Sequence, residues 1–149
     1  MLNCKFKDIA TFSYGKMPNK ALITQEGQYP VFSGYQISGY YPNFNAEFND
    51  LILIARGVGG TGEIRKAPAR CWLTNLSIRI EITSNQVLKD FLYYRFQAKD
   101  LRSLNSGSAQ PQITINDLSE LQLSFPDIEN QRHIVDSIKN NFLEDYLCA

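Results

Sequence analysis

The chain has 149 residues, 44% of them hydrophobic, and 15 acidic against 15 basic residues, so it can bury one good core and is too short for two. No stretch approaches the roughly 18 apolar residues of a membrane span, and residues 1 to 11 alternate charged and apolar types, unlike a signal peptide. Three scattered cysteines (Cys4, Cys71, Cys148) and a lone histidine, His133, exclude a disulfide framework and a zinc site. We therefore expect one cytoplasmic domain with reduced thiols and no metal ion.

The N-terminal third predicts short strands separated by loops. Residues 6 to 18 (FKDIATFSYGKMP) begin with alternation and end in glycine and proline, which predicts a short strand or helical turn that opens onto a loop. That loop carries Lys16 and Lys20. Residues 29 to 41 (YPVFSGYQISGYY) mix β-forming residues with two glycines, so we expect short strands broken by turns.

The middle of the chain predicts a twisted, mixed β-sheet. Residues 51 to 55 (LILIA) form a continuous apolar run, which is typical of a strand buried on both faces. After a glycine cluster, residues 62 to 67 (GEIRKA) predict a second strand, and Pro68 ends it. Residues 76 to 82 alternate cleanly and predict a third strand. Strands this close in sequence favour pairing that is at least partly antiparallel.

One packed amphipathic helix is expected after the sheet, capped near Ser84 or Asn85. Apolar residues then recur at spacings of four and three, the pattern of a helix face packed on a core. The residues of this stripe are Val87, Phe91, Tyr94, Ala98 and Leu101. Together with Phe91 and Tyr94, we expect Trp72 to be largely buried.

The segment after this helix predicts a loop and then short strands. Residues 106 to 112 (SGSAQPQ) have no room for regular structure. Residues 113 to 126 (ITINDLSELQLSFP) predict two short β segments around residues 117 to 120.

The chain ends in a second predicted helix. Pro126 ends the last β segment and Asp127 can cap the helix. An a/d-like seam on this helix, typical of a coiled coil, predicts a subunit interface that comprises Ile128, Gln131, Val135, Ile138 and Phe142. We therefore predict a globular domain over residues 1 to 126 and the start of a long helix over residues 127 to 149.

Charge is distributed unevenly, although its sum is zero. Residues 51 to 80 hold five basic residues against Glu63 alone, and residues 1 to 20 hold four lysines against Asp8. Residues 117 to 149 hold seven acidic residues against two basic ones. A basic middle and an acidic tail favour one face for a polyanion and another for a protein, while ordinary scatter of surface charge explains the same counts.

Residues 57 to 62 (GVGGTG) match the G-x-G-x-x-G pattern of dinucleotide and S-adenosylmethionine sites. A site of that type needs a helix that begins at the glycines, whereas the following GEIRKA has β-forming character and soon reaches Pro68. Glycines that provide positive φ in a hairpin or bulge explain the segment better. The bare backbone would also let DNA phosphates approach Arg56 and Arg65.

The sequence disfavours two classes of enzyme. Asp50 with Glu63 and Arg65 is the nearest approach to a metal-dependent nuclease set, but arginine, which cannot give up its proton, stands where lysine is wanted. A DNA amino-methyltransferase needs an Asn-Pro-Pro-aromatic run, and residues 41 to 44 read only YPNF. His133 has no nucleophile placed beside it and is interpreted as a solvated helical residue.

A set of polar residues suited to duplex DNA remains. Asn and Gln pair bidentately with adenine and Arg with guanine, while basic side chains, Ser, Thr and backbone amides bind phosphate. The candidate DNA-binding residues are Lys16, Lys20, Arg56, Gly57, Gly59, Arg65, Lys66, Thr74, Asn75, Ser106, Ser108, Gln110 and Gln112. We expect Arg56, Arg65 and Lys66, which flank the glycines, to hold phosphates. Asn75, Gln110 and Gln112 are expected to approach base edges. Alternatively, Asn75 and Gln110 satisfy backbone groups at strand ends.

Several strings occur along the chain in a fixed order: YPVFSG, LILIARG with its glycine loop, WLTN, FLYYRF, GSAQPQITINDL, LSFP and ENQRHIV. Over nearly its whole length the chain thereby resembles the domain of type I restriction specificity subunits. GSAQPQITINDL and the Pro-x-x-Glu-x-Gln entry to the last helix, here Pro126, Glu129 and Gln131, are the most specific parts. The resemblance implies an α/β (α+β) target-recognition domain around a twisted sheet, which reads one half of a bipartite DNA site.

The resemblance also implies which partners the chain has. In that family, long helices of the conserved regions set the distance between two such domains and dock the methyltransferase subunits, and catalysis belongs to the partners. A chain with one domain resembles a half-subunit, a naturally truncated product or an excised domain. We expect a non-catalytic protein that binds double-stranded DNA sequence-specifically, needs no cofactor, works with methyltransferase and restriction subunits, and can form a homodimer. The alternative hypothesis is an interaction module that docks on methyltransferase subunits without reading DNA.

Overall fold

The computed structural model describes residues 1–34, 36–57, 60–98, 101–104 and 112–148, with the backbone alone for residues 98, 102–103 and 142–148. The strands are β1 Leu2–Lys5, β2 Ala10–Tyr14, β3 Tyr29–Ser33, β4 Gln36–Tyr41, β5 Leu51–Ile54, β6 Ile64–Lys66, β7 Trp72–Leu73, β8 Ser77–Ile82 and β9 Gln122–Phe125. The helices are α1 Lys89–Ala98, α2 Ile115–Ser119 and α3 Ile128–Cys148. Short 3-10 turns lie at Phe6–Asp8, Lys20–Leu22 and Leu101–Leu104.

The strands form three sheets. The central sheet has the order β2-β8-β5-β6 and is antiparallel throughout. The outer sheet has the order β4-β3-β7, in which β3 is antiparallel to β4 and parallel to β7. The terminal sheet pairs β1 with β9 in antiparallel register. The predicted mixed α/β class is therefore confirmed, with its strands divided among three sheets.

Strand β5 lies at the centre of the fold, because both its edges and both its faces are covered. It pairs with β6 on one edge and with β8 on the other, and its four residues are buried. Leu51 and Leu53 belong to the main core, which also contains residues of α1, while Ile52 belongs to a second core with Leu73 of the outer sheet. This alternation follows from the period of a strand. The prediction of a strand buried on both faces is confirmed.

Of the three aromatic residues expected in the core, only Phe91 is fully buried, at 6% exposure. Tyr94 and Trp72 are half-buried. The indole nitrogen of Trp72 donates a hydrogen bond to the carbonyl oxygen of Lys16 at 2.9 Å. Trp72 therefore packs beneath the loop that follows β2, where one edge of its ring meets a polar backbone.

The predicted cap of α1 is wrong. The Ser84 hydroxyl accepts a hydrogen bond from the Gln86 amide at 3.1 Å and thus stabilises a turn, and the helix begins only at Lys89. Val87 and Leu101 of the predicted helical stripe lie outside α1, on either side of it, yet both are buried in the main core. The spacing of apolar residues therefore indicated burial correctly, while the helix itself is shorter than the stripe.

The first of the two β segments predicted around residues 117 to 120 is instead helix α2. The Thr114 hydroxyl accepts from the Asp117 amide at 3.1 Å, and the Asp117 carboxylate accepts from the Thr114 amide at 2.8 Å. This reciprocal capping box satisfies amides that a helix start leaves without partners, and it overrides the β-forming character of the segment. The second predicted segment is strand β9.

The first glycine of residues 29 to 41 forms a turn, as predicted, but the second does not. Gly34 lies between β3 and β4. Gly39 lies within β4, opposite Val31, at a shift in the register of the pair.

Helix α3 begins where the sequence predicts, with the Asp127 carboxylate accepting from the Asn130 amide at 2.9 Å. His133 is exposed on it, as expected. Although α3 has 21 residues, no helix in the described part of the chain is both long and apolar enough to cross a membrane.

Gln131 fixes α3 to the rest of the domain. Its side chain is fully buried; the oxygen accepts from the Leu88 amide at 2.8 Å, and the nitrogen donates to the carbonyls of Gln86 and Pro126 at 2.9 and 2.8 Å. Val135, one turn further on, is 5% exposed in the main core.

This arrangement leaves fewer residues of the predicted subunit interface accessible to another chain. Gln131 and Val135 are covered by the chain's own domain, so another chain cannot contact them while that packing persists. Ile128 and Ile138 remain half-buried, and the side chain of Phe142 lies outside the described part.

Replacement of Gln131 tests how α3 is held. Gln131→Leu keeps the size of the side chain but leaves one amide and two carbonyls without partners in a buried place. We expect the free energy of unfolding to fall by about 2–4 kcal/mol, as measured by urea titration. Asn130→Ala, on the exposed neighbour, should change it by less than about 0.5 kcal/mol. Equal stability of Gln131→Leu and the unchanged protein would contradict this role.

Candidate nucleic-acid interface

The candidate site begins where β5 ends. The amides of Ala55 and Arg56 both donate to the Leu76 carbonyl, at 2.8 and 3.2 Å, and the Ala55 carbonyl accepts from the Ile113 amide at 2.8 Å. Arg56 also forms an isolated antiparallel bridge with Gln112. Since Ala55 is fully buried, its backbone groups have no water to bond and need these partners. They hold the turn at residues 74–76 and the segment at Gln112 beside Arg56.

The loop after β2 is fixed to the same end of the central sheet. The Lys16 amide donates to the Leu73 carbonyl at 2.9 Å, and the Trp72 indole donates back to the Lys16 carbonyl. Gly15 is buried against residues 73 and 74, and a Cβ atom at this position would lie 2.1 Å from the Thr74 carbonyl oxygen. Glycine is required because any side chain would push the loop away from the turn.

The other end of this loop is anchored as well. The Asn19 amide donates to the Tyr41 hydroxyl at 3.0 Å, and the Asn19 side chain accepts from the Ala21 amide at 3.1 Å, which caps the short turn that follows. Pro18, between the anchors, fixes its own φ. The side chains of Lys16 and Lys20 are exposed on a loop whose backbone is held at both ends.

We call this assembly the loop cluster: residues 15–22, Arg56–Gly57, the turn at 74–76, and Gln112. Arg56 and Gly57 are exposed, and Asn75 and Gln112 are half-buried. Within the part that the structure describes, the three cations of the loop cluster form no ion pair, and the Asn75 side chain has no hydrogen-bond partner. The loop cluster therefore joins three exposed cations to the amide side chains of Asn75 and Gln112, and its residues include no acid.

The glycine-rich residues 57 to 62 connect two antiparallel strands, as the hairpin interpretation predicts. Gly57 and Gly62 have φ values of 118° and 98°, and the Thr61 hydroxyl donates to the Gly57 carbonyl at 2.6 Å. Strand β6 follows at Ile64, where a dinucleotide site would require a helix. Gly59 lies outside the described residues.

Arg65 and Lys66 are not part of the loop cluster, contrary to the grouping with Arg56 that the sequence suggested. Arg65 pairs with Ile52, four residues before Arg56 along the chain, which corresponds to about 13 Å of strand. Its guanidinium contacts the Glu63 carboxylate at 2.7 Å.

Lys66 instead holds helices together. Its ammonium contacts the Asp90 carboxylate at 2.8 Å and lies 4.6 Å from the centre of the Tyr93 ring, and Lys139 of α3 contacts the same carboxylate at 2.9 Å. The hydrogen bond from the Lys66 ammonium is the main cause that holds the pKa of Asp90 below its ordinary value, and the hydrogen bond from Lys139 adds to it. Lys66 therefore links β6, α1 and α3.

Thr74 also serves the fold. It is 3% exposed, and its hydroxyl accepts from the Leu76 amide at 3.4 Å while its carbonyl accepts from the Ser77 amide at 3.2 Å. It shapes the turn that presents Asn75, and we remove it from the candidate DNA contacts. Ser106, Ser108 and Gln110 lie outside the described residues.

The carboxylates considered for a nuclease are not brought together. Asp50, just before β5, accepts from the Arg79 guanidinium at 2.6 Å. Glu63 lies at the opposite end of the β5–β6 hairpin, where its carbonyl accepts from the Ile54 amide at 2.9 Å. Each carboxylate thus has an arginine beside it, and the length of the β5–β6 hairpin separates the two carboxylates.

The sequence reasoning missed the polar residues of the β3–β4 hairpin. Gln36 lines a groove with Arg56 and Gly57, and Ser33 and Ser38 line the adjoining groove with Lys20 and Asn75. The string SGYQIS carried the signal, because a hairpin tip presents short polar side chains. The position of this hairpin tip beside the end of β5 could not be predicted from the string alone.

Gly15→Ala tests the contact that fixes the loop. We expect a loss of about 1–3 kcal/mol of stability and easier quenching of Trp72 fluorescence by acrylamide, because the shifted loop would uncover the indole. Gly34→Ala is the matched control: its Cβ would meet nothing within 4 Å, although φ is +67°. That variant should cost about 1–2 kcal/mol without changing the quenching. Unchanged quenching in Gly15→Ala would show that the loop is not held by this approach.

The comparison with known sequences identifies relatives of one kind. A putative type I specificity subunit of Mycoplasma genitalium is 31% identical over 124 residues, which cover 81% of this chain and 32% of the relative. The specificity subunit of the type I restriction enzyme EcoprrI of Escherichia coli is 26% identical over 122 residues, which cover 78% of this chain and 30% of the relative. The chain thus spans about a third of the length of the curated relatives it matches.

The fold is similar to that of a solved specificity subunit. The crystal structure of the type I restriction-modification S subunit from M. genitalium superposes with a TM-score of 0.81 at 26% identity, covering 97% of this chain and 40% of that one. The family model described as the type I restriction modification DNA specificity domain matches residues 3–143. This confirms the resemblance found in the sequence, and the chain belongs to the family of type I restriction modification DNA specificity domains.

Proposed function

We propose that this chain binds duplex DNA sequence-specifically, as the target-recognition part of a type I restriction-modification specificity subunit, and that it carries out no catalysis itself. The loop cluster is the observation that carries the proposal. In a domain of this family, it places Lys16, Lys20 and Arg56 beside Asn75 and Gln112 at one end of a packed sheet.

The chemistry of the loop cluster suits both parts of DNA recognition. Exposed lysine and arginine side chains bind phosphates and position a protein on the duplex, whereas amide side chains can read base edges in the major groove. The anchored loop and the paired end of β5 keep these groups in place before binding, which lowers the entropy lost on association.

We further propose that α3 begins the helix by which such domains meet methyltransferase and restriction subunits, with residues 1 to 126 as the recognition domain. The Gln131 hydrogen bonds and the Lys66–Asp90–Lys139 bridge fix the direction in which α3 leaves the domain. Ile134 of α3 is 41% exposed and is available to a partner.

The first test concerns phosphate binding. Arg56→Ala should weaken binding to all duplexes alike and reduce the slope of log affinity against log salt by about 0.9, because one phosphate contact is lost. Arg70→Ala is the matched control, since Arg70 is an exposed arginine that lies outside the loop cluster and contacts Glu47 at 2.9 Å. Titration of fluorescent duplexes at several salt concentrations measures both effects.

The second test concerns base reading. Gln112→Ala should lower the preference for a selected site over a scrambled one by roughly 1–3 kcal/mol at one base pair, with little change in salt slope. Sites selected from a random duplex library provide the probe. If both variants fold and neither changes affinity, slope or preference, the DNA-binding face lies elsewhere. Binding to a methyltransferase subunit, with no DNA affinity at all, would favour the interaction module.

A further inference from the structure

We infer that Met17 and the apolar pocket beside it read the 5-methyl group of a thymine, so that this part of the loop cluster selects an A·T base pair. The inference rests on the proposed function, because it assigns one base-reading element to the same surface. It concerns a residue that the sequence patterns did not single out.

The pocket lies between the loop after β2, the β3–β4 hairpin and the turn at 74–76. Met17, Pro18, Ile23 and Leu76 provide its apolar lining, and its polar lining consists of Lys20, Ser33, Ser38, Thr74 and Asn75. A recess that combines apolar walls with an amide matches a base edge better than it matches a phosphate.

Met17 is held out toward solvent. Met17 is 60% exposed although its side chain is apolar. Lys16 and Lys20 lie on either side of it in the loop. Backbone hydrogen bonds anchor the loop on both sides, at Lys16 and Asn19, so the exposure of Met17 is fixed by the fold. The cations around it, with no acidic residue in the loop cluster, favour a polyanion as the molecule that covers this apolar side chain.

The major groove of DNA offers one apolar group, the 5-methyl of thymine. A methionine thioether is flexible and polarisable, and it can follow the shape of such a group closely. The Asn75 amide can pair with N6 and N7 of adenine, and it has no hydrogen-bond partner among the described residues. An A·T pair therefore satisfies both kinds of group that line this pocket.

The experiment replaces thymine by uracil, one position at a time, in a duplex selected from a random library. This change removes one methyl group and leaves the pairing of the bases intact. At one position we expect affinity to fall about fourfold, which corresponds to losing the burial of one methyl group on binding. Met17→Ala should bind thymine and uracil duplexes equally, and Met17→Leu should retain most of the difference.

Phe48→Ala serves as the matched control, because Phe48 is 63% exposed and does not line the pocket. It should keep the fourfold difference, and thermal unfolding confirms that each variant is folded. A selected site without thymine, uracil substitution without effect, or a difference that persists in Met17→Ala would each overturn the inference. So would a loss of affinity for a purified methyltransferase subunit in Met17→Ala while thymine sensitivity remains, because the pocket would then bind protein.

Failure of the inference is distinguishable from failure of the proposed function. If Arg56→Ala lowers the salt slope but no thymine position responds, the chain reads DNA with other residues. If the unchanged chain binds no duplex, the proposed function itself is wrong.

Discussion

Strand β5 imposes the constraint on which the rest of the structure depends. Buried on both faces, it must satisfy every backbone group inside the protein. Within the strand, β6 and β8 provide the partners. Beyond it, the groups of Ala55 and Arg56 are satisfied by Leu76 and by Ile113. This requirement brings two segments that are distant in sequence to one end of the sheet, and Gly15 lets the loop after β2 join them.

The contacts between β6 and the helices have a different role. Lys66, Asp90 and Lys139 connect the sheet to α1 and α3, and Gln131 bonds the backbone at the entry of α1. These contacts use basic and polar side chains of the kinds that also bind DNA. Charge alone therefore does not distinguish these residues from the loop cluster, whose cations have no acidic partner within the described residues.

Features fixed by local chemistry could be predicted from the sequence. The apolar run of β5, the hairpin glycines and the Asp127 cap each depend on residues within a few positions of one another. The Thr114–Asp117 capping box was equally local and could have been found from its spacing. The partner of Lys66 was not predictable in this way, because Lys66 meets Asp90, 24 residues away, only where β6 and α1 pack together. Met17 was missed because its exposure depends on anchors in distant strands.

Hydrogen exchange of the backbone amides, with and without a selected duplex, tests whether the loop cluster is the surface that meets DNA. We expect slower exchange in residues 15–22 and 74–76 and around Arg56 and Gln112, with no change in β1, β9 or α1. Slower exchange confined to α3, or to the face that carries Arg65 and Lys66, with the loop cluster unchanged, would contradict this expectation.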